Sequence, residues 1–108
     1  MLSGRGCRGL ENNLKTIEAF RKYDPWVGAQ TIFAFLYIAQ RTYFSAESVR
    51  VMDVGAEMDT TSASASRNMA WLVKHGLIEL YENPEKRIEK FIKLTKQGKH
   101  LAKKLEAL

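Results

Sequence analysis

The chain has 108 residues, 45% of them apolar and 27% charged, and a net charge of +5. That length supports one domain with a modest core, and that apolar content excludes a disordered chain. The longest apolar run is the eight residues 32–39, too short to cross a bilayer, which excludes a helical membrane span. Cys7 is the only cysteine, so no intrachain disulfide forms and a reducing compartment suits the protein. The first nine residues, MLSGRGCRG, lack the apolar stretch of a secretory leader. The expectation is a soluble cytoplasmic protein without a membrane partner. The charge is uneven: residues 1–84 carry nine Lys/Arg and nine Asp/Glu, whereas 85–108 carry eight and three. A basic end favours a polyanionic partner, although lysine-rich helices also serve solubility alone.

Residues 1–9 are aperiodic and Gly/Arg-containing, and are read as a flexible arm ahead of a single domain over 10–108. In 10–23 the apolar positions Leu10, Leu14, Ile17 and Phe20 fall at helical spacing, an amphipathic first helix. Asp24-Pro25 restarts the chain as N-cap and first helical residue. The segment to about residue 41 is apolar all round (Ile32, Phe33, Phe35, Leu36, Tyr37, Ile38). Such a helix must be buried on every side, one flank being a candidate for cover by a second subunit. Residues 45–58 open on Ser45 as N-cap, with Glu47 in the first turn, and form a third helix. Gly55 inside it costs roughly 1 kcal/mol against Ala, which points to close packing on the next helix.

That next helix covers 61–75. Thr60, Thr61 and Ser62 are competent caps, Ala65, Met69 and Leu72 form the inner seam, and Gly76 is the stop. Ala63, Ser64, Arg67, Ala70, Trp71 and Lys74 lie roughly opposite the seam. Short side chains let a helix approach a groove closely, and an arginine forks onto a guanine edge or a phosphate. An ordinary solvated helix has much the same composition, so the following residues decide. After Gly76 the apolar period shortens towards two in 77–81 and again in 88–94, around the turn residues 82–87, giving a hairpin with a basic tip. Thr95 then caps a last helix, 95–108, with Leu101, Leu105 and Leu108 on one side and Lys96, Lys99 and Lys103 on another. The fold class is therefore mainly α (α+β): a winged helix-turn-helix with the helix-turn-helix about 46–76 and the wing about 77–94.

Residues 50–100 resemble the multiple-antibiotic-resistance regulator (MarR) family. The matching residues are Val54-Gly55-Ala56-Glu57-Met58, Thr61, Ser62, Ser64, Ser66-Arg67, Leu72, Gly76-Leu77-Ile78, Glu85-Lys86-Arg87 and Leu94-Thr95-Lys96-Gln97-Gly98. Glu85 stands where the family's wing usually has Asp. The resemblance implies a homodimer through the terminal helices 10–23 and 95–108, and a double-stranded DNA partner, bound by a transcriptional repressor or regulator. On that reading Thr61, Ser62, Ser64, Arg67 and Asn68 meet the major groove and nearby phosphates. Lys86 and Arg87 reach the minor groove, and Lys74 and Lys90 contact phosphates. A winged-helix protein–protein module is the competing reading, because Asp53, Glu57 and Asp59 flank the helix-turn-helix and oppose DNA. A third is an effector pocket lined by Tyr37, Tyr43 and Phe44.

No catalytic constellation is present: His75 and His100 are isolated, and no metal-ligand or phosphate-loop spacing occurs. No enzyme activity, cofactor or metal is expected. Cys7, beside Arg5 and Arg8, is either an inert thiol or an oxidant sensor. Trp71 is expected to pack rather than to read DNA.

Overall fold

The computed structural model describes residues 4–86 and 88–108, without the side chains of 4–8 and Ser62. Among these residues the order is α1 (Gly4–Arg21), α2 (Ala29–Ile38) continuing as a π-helical segment (Ala39–Phe44), β1 (Val49–Arg50), α3 (Val51–Glu57), α4 (Ser62–Lys74), β2 (Ile78–Glu82), β3 (Lys90–Leu94) and α5 (Lys96–Glu106). The three strands form one antiparallel sheet in the order β1-β3-β2. Leu80 pairs with Ile92 and Ile92 with Val49, which brings three apolar residues together across the sheet. The core gathers Phe20 from α1, Phe35 and Ile38 from α2, Val54 from α3, Met69 and Leu72 from α4, and Leu77, Ile78 and Ile92 from the hairpin. Each such side chain contributes about 1.5–3 kcal/mol by leaving water. Phe20 and Phe35 meet edge-on at 5.4 Å.

Three sequence expectations change. The arm expected over 1–9 is helical from Gly4, because a helix already nucleated further along extends at one hydrogen bond per residue; residues 1–3 lie outside the described part. Asp24-Pro25 starts a turn, not a helix: Asp24 Oδ1 accepts from Trp26 N at 2.9 Å, and α2 begins further on, after Gly28. On α2, Phe33 and Leu36 stay open to solvent in the single chain, so one flank is left for the cover by a second subunit that the sequence allows.

The largest change is at 45–58. Ser45 closes the π-helical segment instead of opening a helix: its N–H donates to Gln40 O, and Ala46 follows in the left-handed region at φ 54°. Val49 is buried in β1, and the helix starts only at Val51. A β-branched residue opposite Ile92 gains more in the sheet than in a helix turn exposed at this edge.

The helix-turn-helix corner follows from two close fits. A Cβ on Gly55 would stand 3.4 Å from Ala65 Cβ, so α3 and α4 touch there. At the end of α3, Asp59 takes φ 50°, with its N–H on Ala56 O and Thr60 N–H on Gly55 O. The same terminator closes α4. Gly76 has φ 72°, its N–H donates to Val73 O and Leu77 N–H to Leu72 O, the paired bonds of a Schellman end. Thr95 caps α5 as expected, its Oγ1 accepting from Gly98 N at 3.0 Å and donating to Gly76 O at 2.6 Å.

Gly98 sits against the Leu77 carbonyl, with no room for a Cβ. We predict that Gly98→Ala destabilises the chain by about 1–3 kcal/mol, since backbone cannot yield as a flexible side chain does. Urea midpoints measure this; an unchanged midpoint would show that α5 lifts away from Leu77 without cost.

Candidate nucleic-acid interface

The N-terminus of α4 carries a hydroxyl chain. Thr61 is the N-cap: its Oγ1 accepts from Ser64 N at 3.1 Å and donates to Ser64 Oγ at 3.2 Å, and Arg67 Nη2 donates to the same Ser64 Oγ at 3.1 Å. Thr61 and Arg67 are exposed and Ser64 half-buried. Arg67 is therefore held by one donor over the first turn, and its other donors face outward. Ala63, Ser66, Arg67, Ala70, Val73 and Lys74 form the exposed strip of the helix. Ser66 joins the candidate contacts, a position the sequence reading did not assign; its spacing from Ala63 and Ala70, three and four residues, places it on their face.

Asn68 turns the other way. Its Oδ1 accepts from Thr31 Oγ1 of α2 at 3.0 Å, and its Nδ2 is buried without a partner among the described residues. It joins α4 to α2 and does not face outward with Arg67. Trp71 also packs inward, as expected. Its Nε1 donates to Asp24 Oδ2 at 3.1 Å, its ring lies 4.2 Å from His75, and Tyr23 meets both edge-on. This cluster fixes the C-terminal half of α4 against the α1–α2 corner. The Trp26 amide and the Trp71 indole, in that order, hold the Asp24 carboxyl below its ordinary value of 3.8.

The wing presents Lys86 and Lys90 to solvent, together with Ile88, which is 93% exposed. Nothing in the basic run around it announces an isoleucine in the open at a hairpin tip. Arg87 and the Ser62 side chain, both candidate contacts, lie outside the described residues. Of the acidic residues flanking the helix-turn-helix, Asp53 is taken up by Arg50 at 3.0 Å, while Glu57 and Asp59 stay exposed. The lysines that give the chain much of its excess charge, Lys96, Lys99, Lys103 and Lys104, are exposed on α5.

A separate cavity of about 730 Å³ opens between α1, α2 and α5. Tyr37 and Phe44 line it and Tyr43 does not. The Arg41 guanidinium lies over the Tyr37 ring at 5.2 Å. Among the described residues no helix is long and apolar enough to cross a membrane, and no three His, Cys, Asp or Glu side chains converge as metal ligands would.

The architecture is that of a MarR-type winged helix. The chain is similar to a point mutant of MepR from a multidrug-resistant S. aureus clinical isolate, at TM-score 0.71 and 15% identity over 100% of this chain and 76% of that one. It is similar to S. aureus MepR in a DNA complex, at TM-score 0.71 and 17% identity over 93% and 78%. It is also similar to a mutant MarR from E. coli complexed with operator DNA, at TM-score 0.63 and 18% identity over 95% and 71%. At these identities the likeness is one of fold. No family model and no curated protein matches the sequence.

The Asp24–Trp71 bond has a pH consequence. A carboxyl with a depressed folded pKa adds stability above its unfolded value and loses it as pH falls through the folded one. We expect wild type to be more stable than Asp24→Asn at pH 7, with the gap closing as pH drops below the ordinary value of 3.8. Urea midpoints across pH 2–7 read this directly, and a gap independent of pH would contradict it.

Proposed function

We propose that the chain is a transcriptional regulator that binds double-stranded DNA as a homodimer, with α4 in the major groove and the wing over the adjacent minor groove. The observation that carries this reading is the outer strip of α4. It is exposed and small-residued, led by the Thr61–Ser64–Arg67 chain, and it stands beside a hairpin bearing Lys86 and Lys90. Small residues at Ala63, Ser66 and Ala70 admit the groove wall, Arg67 supplies the forked donor, and Lys74 and Lys90 supply phosphate contacts. Ile88 offers apolar contact to the minor groove. The similar structures of MepR with DNA and mutant MarR with operator DNA support the reading at the level of fold. Repression is the simplest action: a dimer occupying a promoter duplex excludes other proteins from it.

The dimer is supported by apolar surface that one chain leaves uncovered. Leu10, Leu14 and Ile17 on α1, Phe33 and Leu36 on α2, and Leu108 after α5 are each more than 40% exposed. Large apolar side chains gathered on the terminal helices mark an association surface. A twofold dimer would set two α4 helices about 34 Å apart, matching a pseudo-palindrome. The exposed Glu57 and Asp59 favour the alternative, a protein-binding module. Fluorescence anisotropy with random duplex at low salt separates the two, because such a module binds little DNA even there.

Two outcomes are expected. Arg67→Ala weakens binding to a duplex selected from genomic fragments by about tenfold or more, and flattens the salt slope by about 1 if the guanidinium meets phosphate. Unchanged affinity would remove Arg67 from the interface. Leu14→Glu gives a monomer by sedimentation equilibrium with its helix content intact, since Leu14 is 59% exposed within one chain; a dimer that persists would move the interface elsewhere.

A further inference from the structure

One guanidinium joins the base of the wing to the helix-turn-helix. Arg50 ends β1 and, in extended conformation, immediately precedes α3. Its backbone N–H donates to Asp53 Oδ2 at 2.9 Å and its Nε to the same oxygen at 3.2 Å, while Nη2 donates to Asp53 Oδ1 at 3.0 Å. On the other side Nη1 donates to Glu89 Oε1 at 3.2 Å. Glu89 is also the closure of the wing loop. Its Oε2 accepts from Asn83 Nδ2 at 3.2 Å, its carbonyl accepts from Asn83 N at 3.1 Å, and its N–H donates to Lys86 O at 3.0 Å. Lys86 Nζ lies 3.9 Å from Glu89 Oε1. The Glu89 side chain is 17% exposed against 68% for Lys86. The loop is thus a small ring closed on Glu89, fastened to α3 by a planar fork that meets two carboxylates.

A hairpin of two five-residue strands twists easily about its own axis, so its pairing alone does not fix where the tip points. A guanidinium spanning Asp53 and Glu89 does, because its donors are fixed in one plane and charge-assisted bonds are directional. We infer that Arg50 is a positioning residue: through Glu89 it sets the angle between the wing and α4, and so decides whether Lys86, Ile88 and Lys90 reach the minor groove while α4 occupies the major one. The inference rests on the duplex-binding reading above and adds its control point. Asp53, held by Arg50 below the usual carboxylate range, is the fixed end of the lock, and Glu89 is the end that travels with the wing.

Hydroxyl-radical footprinting tests it, on a duplex that the wild-type chain selects from sheared genomic DNA. The chains compared are wild type, Glu89→Gln, Arg50→Lys and the double variant, with urea midpoints recorded for each. Glu89→Gln leaves the α3 cap untouched. It should keep the wild-type midpoint and central protection, lose the flanking minor-groove protection, and bind about tenfold more weakly. Arg50→Lys should lose the same flanks, because a point charge cannot span both carboxylates, and the double variant should add little, since both substitutions cut one connection. Flanks retained in Glu89→Gln at unchanged affinity would overturn the positioning role. So would central and flanking protection lost together with a lowered midpoint in Glu89→Gln, which would make the contact a support of the fold alone. A wild-type chain that protects no duplex would remove the DNA reading itself, and the positioning role with it.

Discussion

Four elements meet at the backbone of Gly76 and Leu77, and the arrangement of the rest depends on that meeting. Gly76 turns the chain left-handed so that α4 ends and β2 can begin. Thr95 returns from β3 to the same place, donating its hydroxyl to Gly76 O and its N–H to Leu77 O. Gly98, one turn into α5, then lies against the Leu77 carbonyl. The end of α4, both strands of the wing and the start of α5 are thereby fixed within a few bonds of one another. Nothing bulkier than glycine fits at Gly98, and at Gly76 any other residue would carry the left-handed cost. The Leu-Thr-x-x-Gly pattern, here Leu94 to Gly98, is the covalent statement of that junction.

From this junction outward, legibility follows how local the determining interaction is. The cap on Thr61, the stop at Gly76 and the cap on Thr95 are each set by bonds spanning a few residues, and the turn residues 82–87 mark the hairpin, so the sequence carries all of them plainly. The close contact of α3 with α4 at Gly55 is legible too, because a glycine inside a helix needs a neighbour to justify it, but its partner Ala65 is seen only in the structure. Residues 45–50 are opaque in sequence because their conformation is decided by Ile92 and Phe91, some forty residues on. Without that strand, a serine followed by a glutamate and a valine reads as a helix start. Asn68 is opaque for a similar reason: its neighbour Arg67 points outward, and only Thr31 of α2 draws the amide in. Trp71 is legible in kind but not in partner, since its bond to Asp24 spans 47 positions.

The uncovered apolar residues come from a limit of size. A chain of 108 residues buries a smaller share of its surface than a larger domain does. Much of the part left over here lies on α1, the outer side of α2 and the end of the chain, while α4 keeps Met69 and Leu72 inside. Phe20 alone among the apolar positions of the predicted first-helix stripe reaches the core; Leu10, Leu14 and Ile17 do not. A helix whose period is apolar but whose face is bare supports the proposed partner outside its own chain. In the proposed dimer, a second copy would also set how far apart the two α4 helices stand, so the same apolar stripe would bear on oligomer state and on the spacing of the duplex sites.

Charge is distributed in a way that divides attraction from alignment. The net charge of +5 divides between α5, where Lys96, Lys99, Lys103 and Lys104 stand against Glu106, and α4 with the wing, where Arg67, Lys74, Lys86, Arg87, Lys90 and Lys93 stand against Glu79, Glu82, Glu85 and Glu89. Fields from exposed charges fade within about 8 Å at physiological salt. On the duplex-binding reading proposed above, charge on α5 raises the local concentration of a polyanion without orienting it. Orientation has to come from short contacts at fixed angles: the hydroxyl chain that aims Arg67, the Asp24–Trp71 bond that seats α4, and the Arg50 fork that aims the wing. On the proposed reading, a face held by such contacts favours a duplex whose grooves match its geometry.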